Sequence, residues 1–99
     1  MVYLSRTMKF TGDWQTGWKT LEEISRYCGE KYSEVEESYL MTNIAGPTDE
    51  IHWVLGFKGL AEEDSFSHTV WKDEKYMQAM MSLDGIVTPS IDRLYRRET

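Results

Sequence analysis

The stretch Ile51-His-Trp-Val-Leu-Gly-Phe57 carries no charge and sits in the middle of the chain. Read as a strand, it sends Ile51, Trp53, Leu55 and Phe57 to one side and His52, Val54 and Gly56 to the other, because strand side chains alternate with period two. Neither set favours water, so the fold must cover both faces of whatever sheet contains it. Only 99 residues are available for that. A chain of this length buries about 60–70% of its unfolded surface and builds one modest core, so residues 1–99 are expected to form a single domain.

The remaining patterns name the other elements. Val2 to Phe10 alternates Val2, Leu4, Arg6, Met8 and Phe10 against Tyr3, Ser5, Thr7 and Lys9, which is strand periodicity. Asp13 then stands at an N-cap position ahead of Trp14, Trp18, Leu21, Ile24 and Cys28, an apolar stripe at helical spacing that Gly29 is expected to stop. Glu34 to Ile44 alternates again. Ala45-Gly-Pro-Thr-Asp49 is turn chemistry, so this strand and the one at Ile51 form a hairpin. A second helical pattern follows Gly59, with Phe66, Val70, Met77, Met80 and Met81 as its apolar face. It is interrupted at Lys72-Asp73-Glu74, where Asp73 can cap a second, shorter helix ended near Gly85. Ser90 to Arg96 is the last strand.

The order strand, helix, strand, strand, helix, strand predicts an α+β, ferredoxin-like βαββαβ sandwich: a four-stranded antiparallel sheet with the helices on one face. Gly56 has no side chain and would let a helix approach closely, which places His52, Val54 and Gly56 beneath the helices and Trp53, Leu55 and Phe57 on the bare face. Three large apolar side chains left in water would forgo roughly 5–8 kcal/mol, comparable with the stability of a small domain. The simplest cover is a second copy of the sheet in a homodimer, with Tyr3, Ser5, Thr7, Trp53, Leu55 and Phe57 enclosed between the two. Another chain or a lipid-like molecule is the alternative cover.

Phe57-Lys-Gly-Leu-Ala-Glu-Glu-Asp-Ser-Phe66, followed by Trp71-Lys-Asp-Glu-Lys-Tyr-Met-Gln-Ala-Met80, resembles the third strand and broken second helix of the dimeric α+β barrel superfamily, which includes antibiotic-biosynthesis-type monooxygenases and NIPSNAP-like proteins. The resemblance in element order spans nearly the whole chain. It implies a dimer whose lumen binds a small aromatic or polycyclic compound, with Ser5 and Phe57 among the wall residues. Haem-degrading members carry a histidine ligand where Met80 stands here, which argues against haem degradation. Met80, with Met77 and Met81 at helical spacing, reads as core.

Charge and composition narrow the partners. Acidic residues outnumber basic ones by 17 to 11, and a net charge of −6 repels phosphate backbones and anionic lipid, so neither nucleic acid nor membrane is an expected partner. A lone cysteine, no signal-peptide pattern and no apolar run of spanning length fit a cytoplasmic protein. Cys28 reads as a core thiol. His52 and His68 are the only histidines, too few for a metal site of ordinary spacing, and no cofactor motif is visible, so no metal or cofactor is expected. His52 becomes a candidate proton acceptor only if the face assignment is reversed; His68 reads as an exposed helix residue. Trp14 and Trp18 read as helix-to-sheet packing.

Three functional readings follow. The first is a protein that binds a small apolar or aromatic molecule in the lumen. The second is a cofactor-independent monooxygenase- or isomerase-like enzyme, and the third a structural homodimer whose lumen its own side chains fill.

Overall fold

The computed structural model describes residues 1–99 as β1 (Val2–Lys9), α1 (Trp14–Lys31), β2 (Glu37–Thr42), β3 (Glu50–Phe57), α2 (Leu60–Val70), α3 (Glu74–Ser82) and β4 (Ile91–Arg96). The strands form one antiparallel sheet in the order β2-β3-β1-β4, with the helices on one side. This is the ferredoxin-like sandwich that the pattern predicts. No helix is long and apolar enough to cross a membrane, and no group of three His, Cys, Asp or Glu side chains is placed to hold a metal ion.

Register fixes which side chains share a face. Leu4 pairs with Leu55 and Met8 with Ile51, so the apolar side of β1 draws Ile51, Trp53, Leu55 and Phe57 onto its own face. All four are fully buried, clustered with Leu21, Ile24, Phe66 and Tyr76 of the helices. The expected face assignment is therefore reversed. Trp53, Leu55 and Phe57 lie beneath the helices, and His52, Val54 and Gly56 lie on the bare face. The error has a physical source: Gly56 does leave room, but for its cross-strand partner Tyr3 rather than for a helix. A Cβ there would sit 3.1 Å from both Tyr3 Cε1 and Glu37 Oε2.

Four smaller departures matter. Gly29 does not end α1. The helix continues to Lys31 and closes with the Tyr32 amide donating to the Cys28 carbonyl, while Gly29 lies near Ser38, where an added Cβ would come within 3.4 Å. In α3 the buried anchor is Tyr76, and Met81 is exposed; Met77 and Met80 pack at the margin of the core. β2 is shorter than the alternation suggested, with Ile44 fully exposed in the following loop. Trp14 is 59% exposed, because the first turn of α1 faces the β2–β3 loop beyond the ends of the strands.

Asp73 caps α3 as anticipated, its Oδ1 accepting from the amides of Lys75 and Tyr76. Its Oδ2 accepts from Tyr27 at 2.8 Å, Lys31 at 3.1 Å and Tyr32 at 2.5 Å, which ties α1 to the α2–α3 junction. Burial pushes this carboxyl up, but the hydrogen bonds from Tyr32, Tyr27 and Lys31 outweigh it and hold it well below the usual carboxylate range. Cys28 is buried, and burial, then the Asp73 charge, push its thiol up to about 12, so the thiolate a nucleophile needs does not form at neutral pH.

Candidate functional site

Two concavities flank the sheet, one on each side. On the bare face the strands align their side chains in rows: Tyr39, Val54, Ser5 and Arg93 form one, and Met41, His52, Thr7 and Ile91 the next. Tyr3, Ser5, His52, Tyr39, Met41 and Tyr95 border a shallow depression of about 530 Å³ here. Of the residues singled out in the sequence, this face gathers Tyr3, Ser5, Thr7 and His52, and excludes Trp53, Leu55 and Phe57. His68 lines neither concavity. It is exposed on α2, with Nδ1 2.8 Å from the Asp64 carbonyl oxygen.

The reversal of faces brings His52 to the surface where a proton acceptor would be needed, but its nitrogens are engaged. Nδ1 lies 2.8 Å from Thr7 Oγ1 and Nε2 lies 2.8 Å from Asn43 Oδ1. The Asn43 amide nitrogen donates to the Pro47 carbonyl and the Glu50 carboxylate, which leaves Oδ1 as an acceptor and assigns the ring proton to Nε2. With that proton on Nε2, Nδ1 accepts from the Thr7 hydroxyl. Both nitrogens are used inside the protein, and the ring ties the β2–β3 loop to the sheet.

The second concavity lies on the helix side, between the sheet, α3 and the segment leading into β4. It has a volume of about 240 Å³, with Met8, Trp53, Trp71, Met80 and Val87 among its apolar walls and Arg6 as its one cation. Arg6 sits on the apolar side of β1 between Leu4 and Met8. Its guanidinium lies 5.7 Å from the centroid of the Trp53 ring, donates through Nη1 to the Tyr76 hydroxyl, and donates through Nε to Asp92 at 3.3 Å. A guanidinium has five N–H donors, and these two bonds leave three of them without a protein partner. No buried side-chain nitrogen or oxygen goes unpartnered, so the free Nη2 has access to solvent.

Electrostatics keeps Arg6 itself charged, although Asp92 pairs with it and Asp84 lines the same crevice. Burial works against the Arg6 charge, but the Tyr76 oxygen and the Asp92 carboxylate outweigh it and hold its pKa above the ordinary value. Burial, only partly opposed by Arg6, raises the Tyr76 phenol, so it stays protonated. Trp71 packs edge-on to Tyr76, with centroids 5.8 Å apart, and this contact holds the outer wall. A half-buried charge with free donors and the exposed Trp71 ring nearby can bind a flat anion: the donors fix the acidic group while Trp71 covers the body. The sequence reading missed this site. Its signal was there, in one arginine interrupting an otherwise apolar strand face.

The wider comparisons bear on the fold. No family model matches the sequence, and no curated protein matches it either. Solved structures do. A variant of SnoaB, a cofactor-independent oxygenase from Streptomyces nogalater, superposes with a TM-score of 0.77 at 7% identity, over 99% of this chain and 93% of that one. An uncharacterized NIPSNAP domain protein from Burkholderia xenovorans matches with a TM-score of 0.77 at 10% identity, covering 98% and 94%. A NIPSNAP family protein of unknown function from Agrobacterium tumefaciens matches at 0.72 and 13% identity, covering 98% and 87%. The chain shares the ferredoxin-like α+β fold of NIPSNAP and antibiotic-biosynthesis-monooxygenase-like proteins, as the sequence resemblance anticipated.

Proposed function

We propose that this protein binds a small planar aromatic acid (a carboxylate, phenolate or enolate) in the Arg6 crevice, as a homodimer closed through the bare sheet face. The observation that carries the binding reading is the Arg6 guanidinium, with three N–H groups left free, in a crevice whose exposed aromatic wall is Trp71. A volume of about 240 Å³ lies below the range of about 300–1,000 Å³ for drug-sized ligands, so the ligand is of one or two rings.

The dimer reading rests on the surface left uncovered. Tyr39, Met41, Ile91 and Tyr95 are between 38% and 60% exposed on one face of one sheet. Four strands about 4.8 Å apart and about 20 Å long present roughly 400 Å², which a two-fold axis makes complementary to itself. Tyr3, Ser5 and Thr7 are then walls of the enclosed lumen.

Calorimetry with benzoate-, naphthoate- and hydroxyquinone-type acids tests the crevice. The acids should bind, and Arg6→Met should weaken them by about thirtyfold, since a charge-assisted hydrogen bond is worth about 2 kcal/mol. Neutral analogues binding equally well, or an unaffected but folded Arg6→Met, would overturn it. Oxygen uptake with the same acids would extend binding to oxygenase chemistry. For the dimer, Ile91→Asp combined with Tyr95→Asp should give a folded monomer by light scattering. A wild-type protein that is already monomeric at micromolar concentration removes the dimer.

A further inference from the structure

Beyond the crevice and the sheet face lies a third concavity, of about 620 Å³, between the first turns of α1 and the β2–β3 loop. Phe10, Trp14 and Trp18 form its aromatic side, and the acidic residues Asp49 and Glu50 line the other. We propose that this groove binds a small organic cation of the quaternary-ammonium class, held over the tryptophan faces and neutralised by the two acids.

Four observations support that occupant. No internal cation occupies the rings: Trp14 is 59% exposed, Phe10 and Trp18 pack in part against the core with the Trp18 indole donating to Glu22, and every internal cation–π contact is made elsewhere, by Arg6, Lys31 and Lys75. The acids are not neutralised within the protein: the one side-chain donor to Glu50 is the uncharged Asn43 amide at 2.8 Å. Neither Asp49 nor Glu50 takes part in an ion pair, even though Lys9 is the cross-strand neighbour of Glu50. The walls are held in place before any ligand arrives. A Cβ on Gly17 would come within 2.8 Å of the Phe10 ring, so that ring is wedged against α1, and the Phe10 amide donates to the Asp49 carbonyl at 3.0 Å to fix the loop opposite. Asn43 braces the same loop through Pro47 and Glu50. Finally, the charge of −6 favours a cation from a distance.

An ammonium with methyl groups suits both halves of the groove. Its methyl surface is apolar and weakly hydrated, its charge attracts the negative faces of indole rings, and tryptophan is the strongest such partner. Carboxylates at the rim complete the neutralisation without requiring directed N–H donors.

Choline is the probe, and its neutral carbon isostere, dimethylbutanol, the control, both followed through the indole N–H resonances of the whole protein. The expected result is a saturable shift of the Trp14 and Trp18 indoles at about millimolar choline, with the isostere weaker by about tenfold. Trp14→Ala removes an exposed ring and should abolish the effect without unfolding; Asp49→Asn with Glu50→Gln should weaken it by about tenfold. Arg6→Met should leave it unchanged, which separates this groove from the crevice. Equal binding of choline and its isostere, indifference to the acid substitutions, or preference for a methyl glucoside over choline would overturn the proposal.

Discussion

β3 and β4 belong to one sheet, with only β1 between them, yet β3 has no exposed residue and β4 has no buried one. Both alternate, so periodicity does not account for the difference. Position does. The helices pack over the core built on β1 and β3, whereas Leu94, which faces the helix side opposite Leu4, is still half exposed because no helix reaches that edge. A strand at the margin of a small sheet gets cover only where a neighbouring element reaches it. Folding covers β3 and leaves β4 uncovered.

The sharpest test of that contrast is a pair of truncations. Trp53→Ala empties a fully buried site and should cost about 3–5 kcal/mol in chemical denaturation, most of the stability of a domain this small. Leu94→Ala should cost under about 1 kcal/mol in the dilute monomer, in keeping with its exposed edge. Similar losses at the two positions would break the comparison.

Next in size is the clasp that ties the helix layer together. Replacing Asp73 by Ala removes the α3 cap and three converging hydrogen bonds, and should cost about 2–3 kcal/mol. The carboxyl is depressed in the folded state, so its contribution is complete above the unfolded value of about 4 and is lost as the pH falls below that. Thermal melts of wild type and Asp73→Asn should therefore converge as the solution is acidified. Hydrogen exchange should then rise first in α1 and α3, while β4, whose exposure needs no such clasp, changes least.

Two glycines give the smallest effects. Gly29→Ala should stabilise by about 0.5–1 kcal/mol, since Gly29 lies inside α1 and a Cβ meets only an ordinary contact at 3.4 Å from Ser38. Gly56→Ala, crowded at 3.1 Å by the flexible ends of Tyr3 and Glu37, should cost about 1 kcal/mol. Opposite signs, read from the two melting temperatures, distinguish a glycine that merely borders its neighbour from one whose space is filled.

Element order was legible because local chemistry determines it. The break at Asp73 was visible as a cap, and the hairpin as Gly-Pro turn chemistry between two alternating runs. Face assignment needed tertiary pairing. β1 showed its core side plainly through Val2, Leu4, Met8 and Phe10, and matching it to Ile51, Trp53, Leu55 and Phe57 would have settled β3, but Gly56 was read as a helix contact instead of as the space beneath Tyr3. The Arg6 crevice was legible only as an anomaly, one charge within an apolar alternation. Its meaning depends on Tyr76 and Trp71, far along the chain, coming to the same place. Trp14 and Trp18 fit the helical stripe, but nothing local reveals that the sheet ends before it reaches Trp14.

Trp53 donates its indole N–H to Ser38 at 3.1 Å, is shut off from solvent, and lies within 6.3 Å of the Tyr76 ring. Trp14 and Trp71 are more than half exposed. Their fluorescence should therefore separate on quenching with acrylamide into a shielded, short-wavelength component from Trp53 and an accessible one from the surface rings. The shielded fraction is an intrinsic optical gauge of whether the helix layer remains seated on β3, readable without any label.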